Sequence, residues 1–305
     1  MANWRLLLLL AVAVGFLPCS SQAQQLYGFG GVNEIVSIDP ATGATTPIVA
    51  TGGGAQSISA TDMGGRRIFF MGNIDGVVTL ATFSAGSQTL TQVPFPQGTQ
   101  FLEFDPVTKL LYGFGTTSMI SIDPVTGAVT PLAAVALDGI VAGASTFDPA
   151  GRRVIFAGRL AEVPTLFSYS IASNTVSHVS FPGASSIEYD AADGSLLAFF
   201  GSSLSRIDLA TGAATPIATA AVDGSSQGIS TFDPIQRRAY FVGRAGIQPR
   251  LVTYDRAANT VSSVALDVVF LEALPSPAQV PAASRMALTL LLGALALIAT
   301  RRLSA

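Results

Sequence analysis

Three glutamates, Glu103, Glu188 and Glu272, recur at intervals of 85 and 84 residues within one local word: FLEF at 101–104, SIEY at 186–189 and FLEA at 270–273. Carboxylates gathered at one point are hard oxygen ligands for a cation such as Ca²⁺. Left without one, they raise one another's proton affinity. Their counterparts in the intervening units are Ala60, Thr146 and Thr231, so a ring closed from these units presents three carboxylates around its axis. The simpler reading is that they line a watery channel or accept hydrogen bonds from neighbouring backbone, because position in a fold does not by itself make a site.

Other chemistry has less support. The single histidine, His178, lies in the alternating stretch TVSHVSF with no second His or Cys at metal-ligand spacing, and reads as an ordinary strand residue. No GxSxG word precedes a helix, and GFGG at 28–31 leads into a strand where a dinucleotide loop leads into a helix. The conspicuous Asp-Pro and Thr-Gly words, which include Asp39, Asp105, Asp123, Asp148 and Asp233, are turn chemistry: Asp bonds the turn backbone, Pro presets φ and Gly takes the left-handed position.

These residues are positioned by a repeat. LYGFGGVNEIVSIDPATGATTPI at 26–48 returns as LYGFGTTSMISIDPVTGAVTPL at 111–132 and LAFFGSSLSRIDLATGAATPI at 197–217, which places Asp39, Asp123 and Asp208 at intervals of 84 and 85. Between these copies lie three copies of a second word carrying the pairs Arg66-Arg67, Arg152-Arg153 and Arg237-Arg238. The pairs are read as edge residues that discourage strand addition, with their stems laid over the sheet. Each unit of about 42 residues parses into four short strands rich in Val, Ile, Phe, Tyr and Thr, bounded by turn residues, which is the signature of a propeller blade. The expectation is an all-β, six-bladed β-propeller with four-stranded blades, made of three tandem two-blade units over residues 24–274. The first unit lacks the strand that FLEF supplies elsewhere, and FLEA at 270–273 completes it from the other end of the chain. Such a strand closes the ring and removes an open edge.

If the Asp-Pro turns gather on one face, the connections that vary among units gather on the other, where a site grafted onto a constant scaffold belongs. The candidates there are Asn73, Asp75, Arg159, Glu162, Arg244, Gln248 and Arg250, joined by Gln56, Asp138, Asp223 and Gln227 from the loops entering the innermost strands. The alternative is that these are solvated loop residues.

The LYGFG, SIDPxTG and TPL words resemble those of secreted bacterial propellers of the YVTN and NHL type, and of a bacterial family whose units carry LYG and IDPxTG words. The resemblance covers residues 26–274 and implies the fold, not an activity. An axial metal would invite comparison with six-bladed lactonases, but the matching Asn and Asp ligand words are missing.

Both ends differ from the repeats. Trp4 and Arg5 precede the apolar run 6–17, and Ser21-Gln22-Ala23 offers the small residues that signal peptidase reads, so residues 1–23 are expected to be a signal peptide removed after Ala23. Cys19, the only cysteine, follows Pro18 where a lipoprotein signal places a small residue, so the cleaved signal is preferred and the mature chain has no cysteine. After a linker at 275–284, residues 286–300 form an apolar run between Arg285 and Arg301-Arg302. At 1.5 Å per residue this helix spans about 22 Å, a marginal crossing of a hydrocarbon core of about 30 Å. Val280, Pro281 and Ser284, the apolar helix with Gly293, and Arg301 and Arg302 resemble bacterial sorting tails of the PEP-CTERM and IPTL-CTERM kind, which implies a sorting or processing enzyme as a partner. Ala282 and Ala283 depart from both motifs, and a simple tail anchor is the alternative.

Residues 24–284 hold 12 of the 16 basic residues and all 19 acidic ones, a net charge of −7, which speaks against nucleic acid as a partner. The leading expectation is therefore an exported, envelope-associated binding or scaffold module for a ligand, glycan or protein. A metal-assisted hydrolase or lactonase using Glu103, Glu188 and Glu272, and a structural matrix component without a discrete site, stand as alternatives.

Overall fold

The computed structural model describes residues 25–276, apart from 31, 32, 75, 96 and 267 and the side chain of Gln227. Residues 1–24, which hold the expected signal peptide, the linker from residue 277 and the tail with Val280, Pro281, Ser284, Arg301 and Arg302 lie outside the described residues. Among the described residues no helix is long and apolar enough to cross a membrane.

Among the described residues, twenty-four strands form six four-stranded antiparallel sheets. The innermost strands are β4 (Gly53–Asp62), β8 (Leu102–Asp105), β12 (Gly139–Asp148), β16 (Ser186–Asp190), β20 (Gly224–Asp233) and β24 (Leu271–Leu274). Each sheet steps outward from one of them in chain order, except at the seam. There β24 pairs antiparallel with β1 (Gln25–Gly30), Leu26 opposite Ala273 and Tyr27 opposite Glu272, so the C-terminal strand completes the first blade as its sequence predicts.

The reason the ring closes is visible in the core. One blade presents apolar side chains on both faces and cannot bury both alone. The buried residues fall into six clusters, one at each junction between adjacent blades. The cluster joining the last blade to the first sets Tyr240, Val242 and Leu251 against Leu26, Val36 and Ile38. Phenylalanine supplies most of the large buried volume, for example Phe156 stacked on Phe167 with centroids 5.1 Å apart. Each buried aromatic removes about 150–250 Å² from water, so every junction carries a hydrophobic term large enough to hold the ring without disulfides.

The Asp turns, Asp-Pro at Asp39 and Asp123 and Asp-Leu at Asp208, close as turn chemistry dictates: the N–H groups of Ala41, Val125 and Ala210 donate to Oδ1 of Asp39, Asp123 and Asp208 at 2.9, 2.8 and 2.8 Å. The arginine pairs require a correction. They are not free edge residues, because the turn carboxylates they meet are buried and need a counter-charge. The second arginine binds its own turn, Arg67 to Asp62 and Arg153 to Asp148, each at 2.7 Å. The first takes a left-handed backbone, with φ of 50°, 46° and 55° at Arg66, Arg152 and Arg237. It reaches the preceding blade, where Arg152 bonds Asp105, Arg237 bonds Asp190 at 2.6 Å, and Arg66 donates to Pro275 O at 2.9 Å. One clamp is broken: Arg238 binds Asp255 at 2.9 Å, and Oδ2 of the buried Asp233 has no hydrogen-bond partner. Burial accordingly raises the proton affinity of Asp233.

Candidate functional site

The innermost strands alternate in kind around the axis. Odd blades contribute short strands, β8, β16 and β24, whereas even blades contribute ten-residue strands whose pairing register shifts at Ala55–Ser59, Ile140–Ser145 and Ser225–Ser230. At each shift the extra backbone swings inward. Gly143 has φ +70°, and a Cβ built on it would sit 2.6 Å from Ser57 O and 2.9 Å from Gly228 Cα. Gly228, at φ +66°, would meet Ala142 O at 2.2 Å. Ser57, Gly143 and Gly228 occupy equivalent places in the three even blades, so their backbones meet on the axis and shut it. The N–H groups of Gly143 and Gly228 donate to Gln100 O and Ser185 O, both at 2.8 Å, which ties this plug to the neighbouring loops.

Beyond the plug the same strands part around a well of ≈ 340 Å³. Glu103, Glu188 and Glu272 stand in its wall, and its mouth is formed by Gly64, Pro106, Pro149, Ala191 and Pro234, all from turns leading out of innermost strands. The turn face, which the sequence marks as scaffold alone, is thus the face onto which the axial glutamates open. Among the described residues lining the well there is no Lys, Arg, His or Cys.

Each glutamate meets the hydroxyls of an adjoining even blade. Ser145 Oγ donates to Glu103 Oε1 at 2.7 Å, and Ser230 serves Glu188. Thr61, with Ser59 and Thr231, serves Glu272. Burial pushes Glu103 up to about 8, against the Ser145 bond and with the help of the Glu272 charge. It pushes Glu272 up to about 7 against its three hydroxyl bonds. Glu188 lies well above the ordinary carboxylate range, through burial first, with the charges of Glu103 and Glu272 adding to it. Two threonines at the level of the glutamates act structurally: Thr146 Oγ1 accepts from Tyr189 N–H at 3.0 Å and Thr231 Oγ1 from Ala273 N–H at 3.1 Å. At the third such position, Ala60 presents a methyl group instead.

The carboxylates are brought into one well, but among the described residues no three Asp, Glu, His or Cys are grouped to hold a metal ion. One level nearer the mouth than the glutamates, Phe104, Phe147, Tyr189 and Phe232 line the well. Phe104 already has the Arg67 guanidinium and the Lys109 ammonium over its ring, each 5.9 Å from the centroid.

The loop candidates on the opposite face are not gathered into one site. Asn73, the pair Arg159–Glu162, and Arg244 with Gln248 lie at tight hairpins of alternate blades, separated by whole blades. Arg159 and Glu162 form an exposed ion pair of 3.4 Å. Asp138 and Asp223 brace such hairpins, accepting from Glu162 N–H at 2.9 Å and Gly246 N–H at 2.6 Å. Arg250 turns back onto its own sheet and donates to Ser263 O at 3.2 Å. Asp75 and the side chain of Gln227 lie outside the described set. Gln56 and Asp138, however, line one groove of ≈ 590 Å³ with Gln97, Gln100 and Thr116. His178 is exposed on an outermost strand, its ring 5.9 Å from that of Phe167.

No family model matches the chain, and no curated protein matches it in sequence. Solved structures do match in fold. TolB from Acinetobacter baumannii superimposes with a TM-score of 0.62 at 14% identity, over 88% of this chain and 70% of that one. Nidogen, from its complex with laminin, superimposes with a TM-score of 0.65 at 8% identity, over 82% of this chain and 98% of that one. At these identities the similarity establishes the propeller fold.

Proposed function

We propose that this chain is an exported, envelope-associated propeller that binds a small molecule in its axial well. The observation that carries this reading is the well itself: a blind cavity of ≈ 340 Å³ with apolar and aromatic walls and three convergent carboxyls. That is the size and composition of a ligand pocket. Binding is favoured over catalysis because burial raises the proton affinity of the carboxyls that Ser145 and Ser230 meet and so holds them towards the protonated form, in which they are not bases for those hydroxyls. Export rests on the signal-like residues 1–23, and envelope association on the apolar run and arginines of the tail.

A small-molecule thermal-shift screen on the chain and on Ala191→Trp tests the site. Ala191 is exposed at the mouth, so an indole there obstructs entry without disturbing the core. Ligands that stabilise the parent and not the variant support the well, whereas ligands indifferent to Ala191→Trp count against it. N-terminal sequencing of the exported protein checks the leader, with Gln24 expected as the first residue. A second site is favoured by one observation, the amide-lined groove of ≈ 590 Å³ on the plugged face, whose chemistry suits a glycan or an extended peptide. Ligands lost in Gln100→Ala and kept in Ala191→Trp would assign binding to that groove.

A further inference from the structure

We infer that the ligand of the axial well is a small organic cation bearing a methylated or quaternary ammonium group, an inference that rests on the well being the binding site. The well concentrates acceptors beside apolar walls, and its described lining residues offer no positive side chain to an anionic guest. Three carboxyls from three blades converge on it, two of them more than nine-tenths buried, Glu188 at 8% and Glu272 at 7% exposure. A buried carboxylate without a counter-charge is costly, so in the empty well these groups hold protons. A guest that brings a positive charge displaces those protons and takes over the neutralisation.

The kind of cation follows from size and lining. A bare metal ion needs about six to eight oxygens at about 2.3–2.6 Å. Among the described residues no such grouping exists, and ≈ 340 Å³ is far larger than one ion. An anionic guest finds no positive side chain among the described lining residues, and where the carboxyls ionise a neutral polyol leaves their charges uncompensated. An ammonium wrapped in methyl groups satisfies both parts of the wall. Its charge faces the carboxylates, and its methyl groups lie against the apolar part of the lining, which includes Pro106, Pro149, Pro234 and Phe147.

The test compares isosteres on the full folded chain by calorimetric titration at about pH 8.5, above the ordinary carboxylate range. The probes are tetramethylammonium chloride, its neutral counterpart tert-butanol, and calcium chloride. Tetramethylammonium is expected to bind at least tenfold more tightly than tert-butanol, about 1.4 kcal/mol. That preference should vanish in Glu103→Gln/Glu188→Gln/Glu272→Gln, which keeps each side chain's shape and its acceptor oxygen. Ala191→Trp, which changes no charge in the wall, should weaken both probes. Equal binding of tetramethylammonium and tert-butanol, both lost in Ala191→Trp, would overturn the cation inference and leave the well as a binding site. Tighter binding of calcium than of tetramethylammonium would overturn it in favour of a metal. If no probe binds the parent or the triple variant, the cation inference fails; a screen whose ligands ignore Ala191→Trp is what removes the well itself.

Discussion

Along β4, β12 and β20, the residues before the register shift run together at Ser57, Gly143 and Gly228 and shut the axis. From Ser59, Ser145 and Ser230 onward the same strands stand apart around a well. One end is closed by backbone against backbone and tolerates no added atom. The other is walled by carboxyls, hydroxyls and rings, and its polarity depends on what fills it. Three blades of each kind divide the labour, the odd ones donating carboxyls and the even ones donating both the plug and the hydroxyls that hold those carboxyls. A channel open at both ends would hydrate all three glutamates, so the plug contributes to the burial of Glu188 and Glu272 and the partial burial of Glu103.

The plugged end should be the more fragile. Gly143→Val places a branched side chain at φ +70° against Ser57 O and is expected to cost upward of about 4 kcal/mol, through strain and overpacking together. Denaturant unfolding measures it; a loss below about 1 kcal/mol would mean that the axis is not closed there.

The open end should show itself in pH dependence. Glu103 and Glu272, with folded values of about 8 and 7, are raised above the ordinary 4.5. Their protonated forms therefore favour the fold, and that contribution is complete below about pH 4.5 and is lost as pH rises through 7 and 8. Without ligand the chain should lose on the order of 6 kcal/mol of stability between about pH 5 and 9 from these groups. Glu103→Gln should remove its share of that slope and raise the melting temperature at the alkaline end. A slope unchanged by the substitution would show that the well is already hydrated or neutralised.

Smaller effects separate framework from surface. Thr231→Val keeps the shape but leaves the Ala273 N–H unbonded in a buried place, at a cost of about 1–3 kcal/mol in unfolding free energy. Arg159→Ala, on the plugged face, removes only an exposed ion pair and should change stability by less than about 0.5 kcal/mol.

How much of this was legible in the chain depends on the range of the interactions. Strands and turns were, because LYGFG and SIDPxTG encode local pleat and turn chemistry at each copy. Closure was, because FLEA at 270–273 repeats a word the first unit lacks. The glutamates were, because their 85-residue spacing places them at one level of three odd blades. The plug was not: Ser57 stands in the first copy where the other two have glycine, and the only trace is that GGAQSIS, GIVAGAS and GSSQGIS are small-residue runs too long for one strand crossing. The arginine clamps were missed because Arg152 meets Asp105 across 47 residues and a blade boundary, where no local word records the pairing. The arrangement of the loop candidates was missed because hairpins that look alike in sequence sit on separate blades.

The most direct measurement is a carboxyl-carbon NMR titration of the ligand-free chain, with each signal assigned by its loss in Glu103→Gln, Glu188→Gln or Glu272→Gln. A closed, carboxyl-walled well predicts midpoints of about 8 for Glu103 and about 7 for Glu272, with Glu188 far above the ordinary carboxylate range. Three midpoints near the ordinary 4–5 would contradict it, because they would mean that water reaches all three carboxyls and that the axis is an open channel.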